Sequence, residues 1–130
     1  IDSPKSKVGK FKVLNNQKET VLAGTKLNFS KDSIYQLQLS TKVAQLDFDK
    51  LIFPLEIRKW QQGDTFYPLG MKGKKKLSDF FIDKKLSVNE KENTWLLTSK
   101  GNIVWIIGQR MDDRYKITEK TKNIYKIKLT

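Results

Sequence analysis

Trp95-Leu96-Leu97-Thr98, then Ser99-Lys100-Gly101-Asn102, then Ile103-Val104-Trp105-Ile106-Ile107-Gly108 is the stretch that sets the fold. Two β-rich runs flank a short polar segment containing glycine, the pattern of an antiparallel hairpin. The second run is apolar at successive positions, so both its faces are expected to be covered. It therefore belongs inside a sheet rather than at an edge, and Trp105 is expected in the core. Upstream, Lys10-Phe11-Lys12-Val13-Leu14 and Thr20-Val21-Leu22 read as short strands separated by the turn pair Asn15-Asn16. Ser33-Ile34-Tyr35-Gln36-Leu37-Gln38-Leu39-Ser40 alternates apolar and polar residues and predicts a half-buried strand; Lys42 to Phe48 predicts another. In Pro54-Leu55-Glu56-Ile57-Arg58-Lys59-Trp60, alternation puts Leu55 and Ile57 on one face and Arg58 and Trp60 on the other. Downstream, Asn123 to Leu129 completes the strands.

Between these runs lies a different kind of segment. Gln62-Gly63-Asp64 is a turn, and Tyr67-Pro68-Leu69-Gly70-Met71-Lys72-Gly73 is a loop with two glycines. A helix is predicted over Lys75 to Leu86, with Leu77, Phe80 and Phe81 at helical spacing. Ser87-Val88-Asn89-Glu90 fits a capping box that opens a second short helix ending near Asn93. The expected fold class is α+β, mostly β: a small β-sandwich-like domain with a short basic helix pair packed on one side. A single domain over residues 1–130 is expected, with 1–50 a strand-rich lead-in.

The chain has 130 residues and 26 Lys+Arg against 14 Asp+Glu, a formal net charge of +12. It has no cysteine and no histidine, which excludes disulfides, thiolate or imidazole metal sites, and Ser-His or Cys-His catalysis. No apolar run approaches the ~20 residues of a bilayer span. The opening Ile1-Asp2-Ser3-Pro4-Lys5 reads as a cut rather than a leader, so a fragment of a longer protein is expected. The charge is uneven: +3 over residues 1–57, +5 over 58–91, zero over 92–109 and +4 from Arg110 onward.

The loop and helix start gather Lys72, Lys74, Lys75 and Lys76, and ammonium groups beside a helix start make an anion site; a solvated loop is the alternative reading of the same run. Arg58 offers a guanidinium fork for two phosphate oxygens. Gly70 and Gly73 do not have the spacing of a Walker A loop, and a strand-rich segment precedes them where a KH loop would join two helices. Asp112-Asp113 lacks a third ligand and reads as a turn beside Arg110 and Arg114, so neither a catalytic residue nor a metal ligand is predicted. Trp60, beside Arg58, is the tryptophan expected at a surface.

Arg58, Gly63-Asp64, Pro68-Leu69-Gly70, Gly73, Lys75-Lys76-Leu77-Ser78-Asp79-Phe80-Phe81, Lys84-Lys85-Leu86 and the hairpin with Arg110 after it resemble the C-terminal domain of bacterial tRNA(Ile)-lysidine synthase. The resemblance covers residues 55–115. It departs from the family where an Arg of the second helix and a Pro before the hairpin are usual, and where this chain has Asn89 to Asn93 and Trp95. It implies a non-catalytic, tRNA-binding domain of a cytoplasmic ligase that joins lysine to the wobble cytidine of the isoleucine tRNA with the CAU anticodon. The ATP-pyrophosphatase domain that would use ATP with magnesium, marked by a Ser-Gly-Gly-x-Asp-Ser loop, is not in this sequence. The expected partners are therefore tRNA, the catalytic domain of the same polypeptide and a second copy in a homodimer, with no membrane. The predicted tRNA contacts are Arg58, Lys72, Lys74, Lys75, Lys76, Lys84, Lys85, Arg110 and Arg114. Two other classes remain open: a structural interaction or dimerisation module with solubilising lysines, and a free-standing RNA-binding domain. A peripheral lipid module would need a clustered apolar insertion face that the sequence does not show.

Overall fold

The computed structural model describes residues 10–36, 38 and 40–130. Strands β1 (Lys10–Val13), β5 (Leu55–Lys59), β8 (Trp95–Ser99), β9 (Asn102–Ile106) and β10 (Arg110–Met111) form one antiparallel sheet in the order β1-β5-β8-β9-β10. A second antiparallel sheet has the order β2-β3-β11-β4, from Glu19–Leu22, Thr25–Asp32, Ile124–Leu129 and Val43–Asp47. The two sheets pack face to face. Val13, Leu55, Ile57, Leu97 and Trp105 from the first meet Leu27, Phe29, Leu46, Tyr125 and Ile127 from the second in one buried cluster. Burying such apolar side chains stabilises by about 1.5 to 3 kcal/mol each.

The first sheet is also covered on its outer face. Leu96, Ile103 and Ile106 contact Phe66, Leu77, Phe80 and Phe81 in a second cluster, with Trp60 at its rim. Covering on both sides is the physical reason for the apolar run Ile103 to Ile106. A register shift between Leu97 and Thr98 lets Trp105 pair with Leu97 and Ile103 pair with Thr98, so Val104 is the extra residue of a bulge. Val104 and Trp105 consequently both enter the first cluster, while Ile103 and Ile106 enter the second. The hairpin turns at Lys100 and Gly101, both at positive φ, where Gly101 is the residue that tolerates this conformation at little cost.

The outer cluster is built by three small elements: β6 (Thr65–Phe66), β7 (Lys75–Lys76) and α1 (Leu77–Asp83). β6 and β7 form a two-stranded ladder, Thr65 opposite Lys76 and Phe66 opposite Lys75. The helix buries Leu77, Phe80 and Phe81, as their spacing predicts. Its start differs from the sequence expectation: Lys75 and Lys76 are strand residues, because the β6 backbone pairs with them before the helix begins. The second helix, α2 (Val88–Glu92), carries the predicted capping box: Glu90 N–H donates to Ser87 Oγ and Ser87 N–H to Glu90 Oε1. It buries no residue of its own.

Two further expectations are corrected. Residues 33–36, 38 and 40 are not strand, and Ile34 and Tyr35 are largely exposed; Leu37 and Leu39 of that predicted strand lie outside the described residues. In the second sheet β11 is flanked on both sides, by β3 and β4. Trp60 does not lie open at the surface. It is half-buried and meets the edge of the Phe81 ring at 5.0 Å between centroids.

Candidate nucleic-acid interface

The loop from Tyr67 to Lys74 leaves β6 and returns in β7, so its ends are set by the two-stranded ladder. Its first half is fastened to the segment after β9. Leu69 N–H donates to the Met111 carbonyl, Asp113 N–H to the Tyr67 carbonyl, and Gly70 N–H to Asp113 Oδ1 at 3.0 Å. Arg110 donates a guanidinium N–H to the Leu69 carbonyl. The hydrogen bond from Gly70 is the main reason the Asp113 carboxyl titrates below the ordinary carboxylate value, and Lys116 at 3.2 Å adds to it. Gly70 sits at positive φ, as the loop's turn requires.

Asp112 is the acceptor at the centre of this seam. It is fully buried and takes the Tyr67 N–H at 2.9 Å, the Arg114 backbone N–H, and two guanidinium N–H groups of Arg114 at 3.0 Å. That pairing holds the Arg114 guanidinium charged, with its pKa raised further, over the Tyr67 ring at 4.4 Å. Asp112-Asp113 is thus a turn beside Arg110 and Arg114, as expected.

Each predicted contact residue can now be placed. Arg58 makes a two-pronged pair with Asp64 at 2.9 and 3.0 Å, both side chains only 14% exposed. Asp64 also accepts from Gln61 N–H, and its carbonyl accepts from Leu77 N–H at the helix start. The Arg58 fork is therefore filled from within the fold. Arg114 is likewise committed to Asp112, and Lys75 pairs with Asp83 one helix length away. Lys72, Lys74, Lys76, Lys84 and Lys85 are exposed and make no ion pair among the described residues. Arg110 is anchored by its bond to Leu69, with no carboxylate on it among the described residues. The arrangement brings the five open lysines onto the loop, β7 and the C-terminal end of α1. It does not bring Arg58 to them as a free group. The helix itself contributes Asp79 and Asp83, so the positive charge flanks α1 rather than residing on it.

Sequence reasoning missed the residues that hold this region in shape: Tyr67, Asp112 and Asp113. The signal available for Asp112 was an acid two residues before an arginine at a turn, a weak one without knowledge of the loop packed against it. Lys59 is a further unpredicted participant, its Nζ over the Trp95 ring at 4.7 Å and donating to the Glu92 carbonyl. Among the described residues no cluster of acidic side chains is positioned to hold a metal ion, and no helix is long and apolar enough to cross a membrane.

Residues 55–128 match the model of the TilS substrate C-terminal domain. The chain belongs to that family. The matched span starts at β5 and runs through the pinned loop, both helices, the hairpin and nearly all of β11. Among relatives, a tRNA(Ile)-lysidine synthase of Parabacteroides distasonis is 45% identical over 127 residues, covering 95% of this chain and 29% of that protein. One of Bacteroides thetaiotaomicron is 46% identical over 95 residues, 72% of this chain and 22% of the relative. One of Clostridium perfringens is 32% identical over 140 residues, 98% of this chain and 30% of the relative. The chain therefore spans less than a third of the length of these proteins. A crystal structure of a TILS C-terminal domain superposes with a TM-score of 0.73 at 19% identity, covering 92% of this chain and 89% of the other, which shows the shared fold. An N-terminal fragment of the phenylalanyl-tRNA synthetase β-subunit from Pyrococcus horikoshii gives a TM-score of 0.57 at 22% identity, over 67% of this chain and 27% of that one.

Proposed function

We propose that this TilS C-terminal domain holds tRNA for a tRNA(Ile)-lysidine synthase and takes no part in the chemistry. The observation that carries the reading is the set of open lysines, Lys72, Lys74, Lys76, Lys84 and Lys85, around a loop fastened at Tyr67, Leu69 and Gly70 to the β9–β10 side of the fold. A folded domain with excess lysine normally balances part of it with nearby carboxylates, as Lys75 does with Asp83. Here five ammonium groups keep their charge available on a supported surface, which favours a polyanion with regularly spaced phosphates. Lysine contacts act as point charges and carry little base information, so the domain reads backbone and shape.

Its relatives are named for a reaction on tRNA(Ile), and this chain matches under a third of their length. The isoleucine tRNA with the CAU anticodon is accordingly the proposed RNA, and the catalytic domain of the same polypeptide the proposed neighbour. The sequence has no Walker A spacing, and among the described residues no carboxylate cluster is positioned to hold a metal ion; ATP with magnesium is proposed to act in the rest of such a protein. The cytoplasm, where tRNA is modified, is the proposed location.

The test is tRNA binding by the chain and by a variant with Lys72, Lys74, Lys76, Lys84 and Lys85 changed to Ala. A loss of at least tenfold in affinity, with an unchanged melting temperature, is expected. Equal affinity in the two proteins would refute the reading.

A further inference from the structure

The apex of the fastened loop carries an apolar side chain that the fold does not use. Met71 is 48% exposed and belongs to neither buried cluster, whereas Met111, the chain's only other methionine, packs against the first. Single exposed apolar side chains are ordinary on a protein surface; the setting of this one is not. Its N–H donates to the Pro68 carbonyl at 3.0 Å, which closes a turn over Pro68 to Met71. Both residues inside that turn are held by the segment after β9, Leu69 N–H by the Met111 carbonyl and Gly70 N–H by Asp113 Oδ1. Pro68 itself bridges to Asp112. The backbone that presents Met71 is thus fixed at Pro68, Leu69, Gly70 and Met71. Around it the loop is open, since a Cβ at Gly70 or at Gly73 would meet nothing within 4 Å beyond its chain neighbours. Lys72 and Lys74 follow at once, exposed and in no ion pair among the described residues.

A polyanion held by charge alone needs nothing apolar at this point. Ammonium groups hold phosphates, but a thioether gains nothing from a phosphate, nor from the interior of a duplex, where each base face is covered by its neighbours. Both are satisfied together by a nucleotide whose base is out of the stack, because its face is flat and apolar while the phosphates beside it stay charged. Methionine suits such a face: its sulfur is polarizable and contacts aromatic rings favourably, and its unbranched chain adapts to any of the four bases. Methionine is among the apolar side chains that proteins set against base steps. We infer that Met71 packs on the face of an unpaired nucleobase, with Lys72 and Lys74 at the flanking phosphates, so that the loop distinguishes unpaired RNA from continuous duplex. This rests on the tRNA-holding reading and adds to it a contact that does not depend on charge.

Labelling the methionine methyl groups gives two NMR signals, and Met111 serves as the internal reference. Two probes are titrated into the chain, tRNA and a long blunt RNA duplex. The Met71 methyl should move upfield on tRNA, as a methyl over an aromatic face does, and stay in place on the duplex, with Met111 unmoved by either. Affinities are measured for the same probes with Met71→Gln, which keeps the length and loses the apolar thioether, and Met71→Leu, which keeps the apolar surface; both should melt like the wild type. Met71→Gln should lose about two- to tenfold in tRNA affinity, with duplex affinity and salt dependence unchanged, and Met71→Leu should recover most of it. Any one of three results overturns the inference: wild-type tRNA affinity in Met71→Gln, which would leave the apex to a protein contact; equal losses on tRNA and duplex; or a Met71 methyl that tRNA does not move. The five-lysine variant keeps the two readings apart. If it loses tRNA while Met71→Gln does not, the apex contact is wrong and the lysine surface stands. If it binds tRNA like the wild type, the lysine surface is wrong, and the methyl shift alone decides whether Met71 meets a base.

Discussion

Asp64 and Asp112 decide what two of the arginines in this domain can do. Each carboxylate takes a guanidinium in a forked pair, and each also accepts a backbone N–H of the turn that it stabilises. Arg58 stands out in the sequence as a phosphate fork, and its spacing to Asp64 across Gln62-Gly63 was equally legible. What was not legible is that the fold leaves both partners only 14% exposed, which makes the internal pairing the stronger competitor. Asp64→Ala leaves Arg58 partly buried without its partner, and a loss of about 2 to 4 kcal/mol in urea unfolding is expected. Asp113 gives a pH signature. Its folded pKa lies below the ordinary value, chiefly through Gly70 N–H, so the stabilisation is complete above the unfolded pKa near 3.8. It is lost as the pH falls below that value towards the folded pKa. The stability difference between wild type and Asp113→Asn should therefore be constant from pH 7 to 5 and shrink below about pH 4, as followed by urea midpoints across that range.

At the scale of elements, the hairpin, α1 and the α2 capping box were legible because each rests on a short, regular pattern: apolar runs around a glycine turn, Leu77-Phe80-Phe81 spacing, and Ser87 with Glu90. Elements that depend on distant partners were not. Thr25–Asp32 has only Leu27 and Phe29 as buried apolar residues among polar neighbours, yet it forms the eight-residue β3 because β11 pairs along six of its positions. Ser33 to Ser40 alternates better, yet its described residues, 33–36, 38 and 40, are not strand. Lys75 and Lys76 read as the helix's first turn and became strand for the same reason, a partner at Thr65 and Phe66. The two helices should respond differently to mutation. Phe81→Ala empties a fully buried site in the outer cluster and should cost about 3 to 5 kcal/mol. Ser87→Ala removes one cap from a helix that buries nothing and should cost about 1 kcal/mol. Chemical denaturation of the two variants against wild type tests that ranking; equal losses would mean that α1 is not what covers the sheet.

For the whole molecule, the sandwich supplies rigidity on one side of the β1-β5-β8-β9-β10 sheet and a platform on the other. The loop, β7 and α1 stand on that platform with their lysines outward, and the segment after β9 holds the loop from beside it. The charge map of the sequence marks this region as the most basic, and within the fold Arg58, Lys75 and Arg114 are already paired with carboxylates. The measurement that tests the account most directly is the salt dependence of tRNA binding. Each phosphate neutralised by a lysine contributes about 0.7 to 0.9 to the slope of log K against log salt. The wild-type slope should be steep, and changing Lys72, Lys74, Lys76, Lys84 and Lys85 to Ala should lower it by roughly that amount for every phosphate no longer neutralised. A slope identical in the two proteins, or tRNA binding that ignores salt, would contradict it.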